Sequence, residues 1–283
     1  MPSTSPPATV GHATHATHNA ALSWLEINLA RLEANVRTFR AGLGTGAWRA
    51  GSVRGQANHP RLCGVIKKAA YGLGELAIAH RMVKAGCDML AVYAPHEAER
   101  LIADAIDAPI LVLMPLRTLS RTGPLYRHAT KGKLHLSVHD PDQLRALDAL
   151  GHSFGLRWPV HLFVDTGMSR SGLDEAQWRE VLEMLPRLRF IEPTGVCSHL
   201  ASADEDPTFT DHQRQRFESI VNEARPLLSA EVMCHLANTF ATLRDRALHK
   251  DMVRCGIGLL GYGPESMHGL SAGAVMPELQ PVL

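Results

Sequence analysis

The chain has 283 residues, 45% hydrophobic and 20% charged, and its 29 basic and 28 acidic side chains leave a formal net charge of +1. This is the composition of an ordinary globular protein, long enough to bury a full core. The charge balance argues against a nucleic-acid partner, and no apolar run approaches the roughly 20 residues that span a membrane. The N-terminus lacks a secretory signal pattern, and five scattered cysteines without a C-x-x-C pair indicate a reducing cytoplasm.

The first residues of the chain differ in composition from the rest. Residues 1–21 are rich in Pro, Thr, Ser, Ala and His and carry almost no large apolar side chains, so we expect a disordered tail. Histidines recur at every third position there, a spacing that we interpret as incidental rather than as a metal site. Apolar residues then alternate over residues 24–29, which predicts an N-terminal strand, and a helical face follows over residues 29–39.

Eight short apolar runs organise most of the chain, and all but the last are followed by a stretch with helical spacing. They lie at residues 62–66, 89–93, 110–113, 134–138, 160–164, 194–198, 232–236 and 253–258. This repeat predicts an α/β fold of the (β/α)8 TIM-barrel type. A doubly wound sheet would need fewer strands and a phosphate loop after the first one, which is absent. Residues 277–283 have the pattern of one more strand, so we expect a barrel over residues 22–270 and the start of a truncated β-domain at 271–283.

A lysine follows the first apolar run directly. Lys67 stands at the C-terminal end of that predicted strand, where barrel enzymes place catalytic groups. A lysine amine attacks a carbonyl only when burial or nearby cations lower its pKa. A lone lysine at a strand end is more often a solvated side chain, but here Tyr71-Gly72-x-Gly74 follows one turn later. The segment resembles the lysine motif of the alanine racemases, in which this lysine carries pyridoxal 5′-phosphate.

Two later strand ends carry segments that resemble motifs of the same family. The run Val-Asp-Thr-Gly-Met-Ser-Arg-Ser-Gly ending at Gly172 places Arg170 where the family arginine contacts the cofactor's phenolic oxygen and helps hold the substrate carboxylate. The run His-Leu-Ala-Ser-Ala-Asp beginning at His199 places that histidine where the family has a ring that stacks on the pyridine. A solvated turn arginine and a core histidine are the alternatives. Nearby Cys and His pairs match no zinc spacing, so we expect no metal.

The last two strand ends carry the predicted phosphate site. The runs His-Leu-Ala-Asn-Thr and Val-Arg-Cys-Gly-Ile resemble two further motifs of the racemases, and their matching positions imply cofactor-binding roles for Tyr71, Asn238, Thr239, Arg254, Gly256 and Ile257. Hydroxyl and backbone N–H donors suit a phosphate, and the loops after strands seven and eight are a usual phosphate site in barrels. The resemblance places Arg254 at the pyridine nitrogen, which it would keep unprotonated. A dinucleotide fingerprint at residues 256–261 is rejected because no βαβ unit follows it.

The resemblance spans residues 23–283 and implies a cytoplasmic, homodimeric alanine racemase that supplies D-alanine for peptidoglycan precursors. Lys67 would be one of two bases, and cationic neighbours such as Arg254 and Lys68 would favour its neutral form. The family's second base is a tyrosine of the partner's C-terminal domain, and no position here matches it. We therefore expect a partial racemase that binds cofactor weakly and racemises poorly.

The sequence departs from the family pattern near Arg170, and two alternative functions remain open. Phe163 stands where several family members carry a carbamylated lysine that supports the arginine. A barrel-only cofactor-binding protein, resembling the pyridoxal-phosphate homeostasis proteins, is the non-catalytic alternative. A racemase for another amino acid is the third reading, because residues of the second domain largely decide substrate size.

Overall fold

The computed structural model describes residues 25–45, 59–263 and 278–283. Its strands are β1 (Arg61–Val65), β2 (Met89–Val92), β3 (Ile110–Val112), β4 (Leu134–Val138), β5 (Trp158–Phe163), β6 (Ile191–Cys197), β7 (Met233–His235) and β8 (Met252–Cys255). Its helices are α1 (Leu29–Thr45), α2 (Lys67–Tyr71), α3 (Glu75–Ala85), α4 (Pro95–Ala103), α5 (Pro124–Ala129), α6 (Pro141–Phe154), α7 (Glu175–Met184), α8 (Pro207–Ala224) and α9 (Thr239–Arg244). Short 3-10 turns lie at Leu185–Arg187, Arg225–Leu227 and Arg246–Leu248.

The strands form one parallel sheet that curls into a barrel. Their order is β7-β6-β5-β4-β3-β2-β1-β8, so the strands that are last in sequence form the two edges. Two backbone hydrogen bonds join these edges: Asp251 N donates to Cys234 O and Arg254 N donates to Ala237 O, both at 2.9 Å. The predicted (β/α)8 barrel is therefore confirmed, with each of the eight apolar runs containing or overlapping a strand.

Both faces of the sheet are buried, which explains why the strands appear as continuous apolar runs. Successive strand residues point to opposite faces. In β2, Leu90 and Val92 pack outward against the helices, whereas Met89 and Ala91 belong to a separate cluster inside the barrel. The interior is only partly filled by this apolar cluster, and polar side chains of four other strands occupy the rest.

The two terminal segments predicted as strands have no strand assignment in the structure. Residues 25–28 are irregular, and the Asn28 side chain ends them by accepting hydrogen bonds from Ala30 N and Arg31 N at the start of α1. Residues 278–283 are also irregular. They are held by separate hydrogen bonds rather than by a strand ladder. Val282 accepts from Asn28 N at 2.7 Å and donates to Leu260 O at 3.1 Å, and the Asn35 side chain bonds both the N–H and the carbonyl of Gln280 at 2.9 and 2.8 Å.

Some predictions fall on residues that the structure does not describe. The tail at residues 1–21 and the boundary between residues 270 and 271 both lie outside the described ranges. Within those ranges, no helix combines the length and the apolar character that crossing a bilayer requires.

Candidate active site

A cavity of about 700 Å³ opens at the C-terminal ends of the strands. All nine residues that the sequence analysis selected line it: Lys67, Tyr71, Arg170, His199, Asn238, Thr239, Arg254, Gly256 and Ile257. They come from five different strand ends, which a parallel barrel brings to one face. An apolar and aromatic wall completes the cavity. Of its residues the sequence analysis named only Phe163; the others are Val65, Tyr93, Leu113, Met114, Pro115, His139 and Phe240.

Lys67 begins a left-handed turn. The four residues that follow it, Lys68, Ala69, Ala70 and Tyr71, have φ values of 55°, 51°, 52° and 60°. Each left-handed L-residue costs roughly 1–2 kcal/mol, so this turn is held by its surroundings and not by local preference. Part of that support is internal, because Gly72 N donates to Lys68 O and Gly74 N donates to Ala69 O, both at 2.9 Å.

The Lys67 amine is half-buried, and its pKa is lowered. Burial is the main cause, and the nearby positive charges of Arg170 and Lys68 act in the same direction, while the carboxylate of Glu97 opposes them. Of the two cations that the sequence suggested, Lys68 is among the charges that lower this pKa, and Arg254 is among those that lower the pKa of His199. The environment therefore favours a neutral amine, the form that can act as a nucleophile or a base.

Arg254 is buried at the base of the cavity. Its Nη1 donates to His235 Nδ1 at 2.6 Å and to the His235 carbonyl at 3.0 Å, and its Nη2 donates to Ser198 O at 2.6 Å. Among the described residues its Nε–H has no hydrogen-bond partner. One donor of a buried, fixed guanidinium thus remains for a ring nitrogen with a free lone pair.

A row of histidines continues from Arg254 through the barrel interior. His161 Nδ1 lies 2.6 Å from His235 Nε2, and His161 Nε2 lies 3.0 Å from His135 Nδ1. Burial lowers the pKa of all three rings, that of His135 to about 4, so each is neutral and carries one N–H. Because arginine can only donate, His235 Nδ1 must accept, and this assigns every hydrogen in the row: each ring accepts at Nδ1 and donates from Nε2.

Sequence reasoning missed the histidine row, although one signal for it was present. A methyl carbon at Gly195 would lie 2.3 Å from His161 Nδ1, so the glycine on the neighbouring strand makes room for the ring. A glycine inside an otherwise apolar strand indicates a close approach of this kind. Among the described residues no group of three or more His, Cys, Asp or Glu side chains could hold a metal ion. We therefore interpret the row as a hydrogen-bonded chain.

The far end of the cavity is built from small residues and hydroxyl groups. Thr239 Oγ1 accepts hydrogen bonds from Gly256 N and Gly258 N at 3.2 and 3.3 Å, which leaves its own hydroxyl hydrogen free to donate outward. Burial raises the pKa of Tyr71 to about 12, so its hydroxyl is also a neutral donor. Asn238 caps α9 by accepting from Ala241 N at 2.9 Å and thereby fixes the orientation of Thr239. These donors suit a phosphate.

Gly256 has to remain a glycine for this end of the site to form. An alanine methyl there would lie 1.9 Å from the Tyr71 hydroxyl oxygen. We expect Gly256→Ala to displace that hydroxyl. With pyridoxal phosphate as the probe that the sequence resemblance suggests, binding is expected to weaken roughly tenfold, the equivalent of one good hydrogen bond. Titration of the protein with the cofactor, followed by absorbance, measures this. Gly123→Ala is the control, since its methyl meets nothing closer than 3.5 Å; equal affinities in the two variants would contradict the assignment.

Arg170 lies on the loop after β5, at the mouth of the cavity. The Asp165 carboxylate shapes this loop by accepting from Gly167 N at 2.9 Å and Ser169 N at 3.1 Å. Within the described residues the guanidinium of Arg170 has no hydrogen-bond partner, and it is exposed. Phe163 instead stacks on His139, with ring centroids 4.8 Å apart. The arginine is therefore available for a carboxylate but has no supporting side chain.

His199 faces the same cavity from the end of β6. Its backbone carbonyl accepts from the buried Gln213 side chain of α8 at 3.2 Å. The same side chain accepts from Ala201 N, so Gln213 fixes the backbone of this loop at both residues. Burial and the charges of Arg254, Arg170 and Lys67 lower the pKa of His199 to about 3. A neutral imidazole in this place suits stacking against a flat ring.

The fold and this cavity define a parallel (β/α)8 barrel with an enzyme-type site at the C-terminal ends of its strands. The sequence profile described as "Alanine racemase, N-terminal domain" matches residues 27–264. The chain therefore belongs to the alanine racemase family.

Individual relatives agree with this assignment. The chain is 33% identical over 247 residues to an alanine racemase of Nostoc sp., covering 86% of this chain and 59% of that protein. An alanine racemase of Corynebacterium efficiens is 34% identical over 244 residues, with 84% and 63% covered. The solved structure of the alanine racemase of Streptomyces coelicolor superimposes with a TM-score of 0.71 at 31% identity, covering 84% of this chain and 60% of that one. The chain thus spans about 60% of the length of the curated relatives it matches.

Proposed function

We propose that this chain binds pyridoxal 5′-phosphate through Lys67 and takes part in the interconversion of L-alanine and D-alanine. The observation that carries the proposal is the half-buried Lys67 amine, its pKa lowered, facing a cavity that holds Arg254 at its base and phosphate-type donors at its far end. The family assignment supports the same reaction. The charge and hydrogen-bond pattern fits the cofactor's three polar parts: its aldehyde, its ring nitrogen and its phosphate.

The cofactor, when bound, supplies an electron sink for the charge left on the substrate's α carbon as the proton leaves. Lys67 would hold the cofactor and, as a neutral amine, remove or return that proton on its own face of the substrate. Arg254 would donate to the ring nitrogen and so keep it unprotonated. His199 would stack on the ring, while Arg170 would hold the substrate carboxylate.

The phosphate would bind at the far end of the cavity. Thr239 and Tyr71 would donate their hydroxyl hydrogens, and Ile257 would donate its backbone N–H. Gly256 keeps the space clear, and Asn238 orients the start of α9. Among the described residues that line the cavity, none carries a carboxylate that would repel a dianion at this end.

We also propose the setting in which the site works. Residues 22–270 would form the cofactor-binding domain, and residues 271–283 would begin a β-rich domain. The rings of Tyr71 and Tyr93, 37% and 48% accessible, line the cavity and would be covered by a partner copy in a homodimer. The D-alanine product would serve peptidoglycan precursors in the cytoplasm.

A borohydride-trapping experiment tests the cofactor assignment. Purified protein mixed with pyridoxal phosphate is reduced with borohydride, digested and mapped by mass spectrometry. We expect one modified peptide, with the cofactor on Lys67. The same preparation, given L-alanine, is assayed for D-alanine. Modification elsewhere, or none, would contradict the cofactor assignment; modification of Lys67 without D-alanine would instead favour a cofactor-binding barrel without racemase activity.

A further inference from the structure

The left-handed turn after Lys67 has a partner on the neighbouring strand end. The Glu97 side chain is buried, with 5% of its surface accessible, and its Oε1 accepts a hydrogen bond from Lys68 N at 2.6 Å. This bond joins the residue directly after Lys67 to helix α4, 29 positions further along the chain. It is the shortest hydrogen bond that the described backbone of the turn makes.

The other oxygen of the same carboxylate binds the backbone at the start of α4. Glu97 Oε2 accepts from Tyr93 N at 2.8 Å and from Ala94 N at 2.9 Å, where the chain turns from β2 into α4. A glutamate in the first turn of a helix often caps the helix in this way, and its negative charge suits the helix N-terminus. Capping alone would need only Oε2, so the Oε1 contact to the turn requires its own explanation.

The two sets of contacts make one carboxylate a clamp between two strand ends. All three donors are backbone N–H groups, and a charged acceptor strengthens each bond. Among the described residues Glu97 forms no ion pair with lysine or arginine at contact distance. The hydrogen-bond partners of its carboxylate are these three backbone amides. The carboxylate is also close enough to Lys67 for its charge to raise the pKa of that amine, against the stronger lowering by burial.

We infer that Glu97 is a positioning residue for Lys67: it holds the left-handed turn that aims the lysine amine into the cavity. The inference rests on the proposed function of Lys67. Neither lysine nor alanine prefers positive φ, so the turn needs a contact outside residues 67–71 to hold it, and Glu97 provides one.

Hydrogen exchange of the protein without added cofactor tests the clamp. In the wild type, the Lys68 amide is expected to exchange far more slowly than an exposed amide. Glu97→Gln removes the charge, and Glu97→Asp keeps the charge but shortens the side chain by one methylene, so that it cannot reach both sets of donors. We expect Lys68 to exchange about tenfold faster or more in both variants, the loss expected for one charge-assisted hydrogen bond.

Glu75→Gln is the matched control. Glu75 is a second buried carboxylate close by in the sequence, at the start of α3, and it pairs with Arg100 at 2.8 Å rather than with the turn. We expect exchange at Lys68 to stay at the wild-type rate in this variant. An exposed-like rate for Lys68 in the wild type would overturn the inference even if the Glu97 variants failed to fold.

A second measurement separates positioning from general stability. The pH dependence of Lys67 acetylation by acetic anhydride, read by mass spectrometry, reports the pKa of its amine without any cofactor. Glu97→Gln is expected to lower that pKa, because an opposing negative charge is lost, whereas Glu97→Asp is expected to restore most of the wild-type value. Unchanged exchange and unchanged acetylation profiles in both Glu97 variants would contradict the inference. Failure of cofactor trapping at Lys67, with these two effects intact, would instead contradict the proposed function alone.

Discussion

Replacing Lys67 by alanine is expected to abolish borohydride-stable attachment of pyridoxal phosphate and to reduce any D-alanine formation by on the order of 10³-fold. The amine is both the proposed attachment point and the proposed base, and general acid–base catalysis alone contributes about 10²–10⁴-fold. The structure supports a selective effect, because the Lys67 amine is half-buried in the cavity, whereas Lys68, the other lysine among the described residues of the lining, is exposed. The measurements are cofactor absorbance, peptide mapping and a D-alanine assay.

Lys84→Ala is the control for this variant. Lys84 is an exposed lysine near the end of α3 and does not line the cavity. Its removal is expected to leave attachment and turnover at wild-type levels. Persistent attachment of one cofactor in Lys67→Ala, mapped to another lysine, would show that the site has been assigned to the wrong residue.

Replacing Arg254 by leucine is expected to lower the free energy of unfolding by about 3 kcal/mol. The guanidinium donates to His235 Nδ1 and to the carbonyls of Ser198 and His235, all buried. Leucine would leave these acceptors without donors, and each unsatisfied buried acceptor costs roughly 1–3 kcal/mol. Relief of the buried charge offsets part of the sum.

Urea unfolding followed by circular dichroism measures the Arg254 effect. Arg216→Leu, which removes an exposed arginine on α8, is expected to change the unfolding free energy by less than about 0.5 kcal/mol. If Arg254→Leu were as stable as Arg216→Leu, the hydrogen-bonded role of Arg254 in the barrel interior would be refuted.

Much of the site could be predicted because of where a parallel barrel places its strand ends. Lys67, Arg170 and His199 follow three different apolar runs, and Arg254 lies within the last one. They are far apart in sequence, but the C-terminal ends of all parallel strands share one face. Recognition of the strands was therefore enough to predict that these side chains meet. The roles of the individual residues rest on the resemblance to the family, and they remain predictions.

The conformation after Lys67 could not be predicted from local sequence. Lysine and alanine favour right-handed helix, so residues 67–71 read locally as an ordinary helical turn. The observed left-handed turn depends on contacts with Glu97, a residue on another strand–helix connection. The histidine row could not be predicted either. Side chains alternate between the two faces of β4 and β5, but the sequence of these strands does not show which face lies inside the barrel, so the positions of His135 and His161 could not be assigned.

Because His161 packs against Gly195, a substitution at one of these two positions constrains the residue at the other. Any side chain at position 195 would occupy the space of the imidazole, so a larger residue there requires a smaller one at position 161. That exchange would also cut the row between Arg254 and His135, and with it the fixed direction of its hydrogens. The direction of the hydrogen bonds below the cavity thus depends on the absence of a side chain at Gly195, a residue that does not line the cavity.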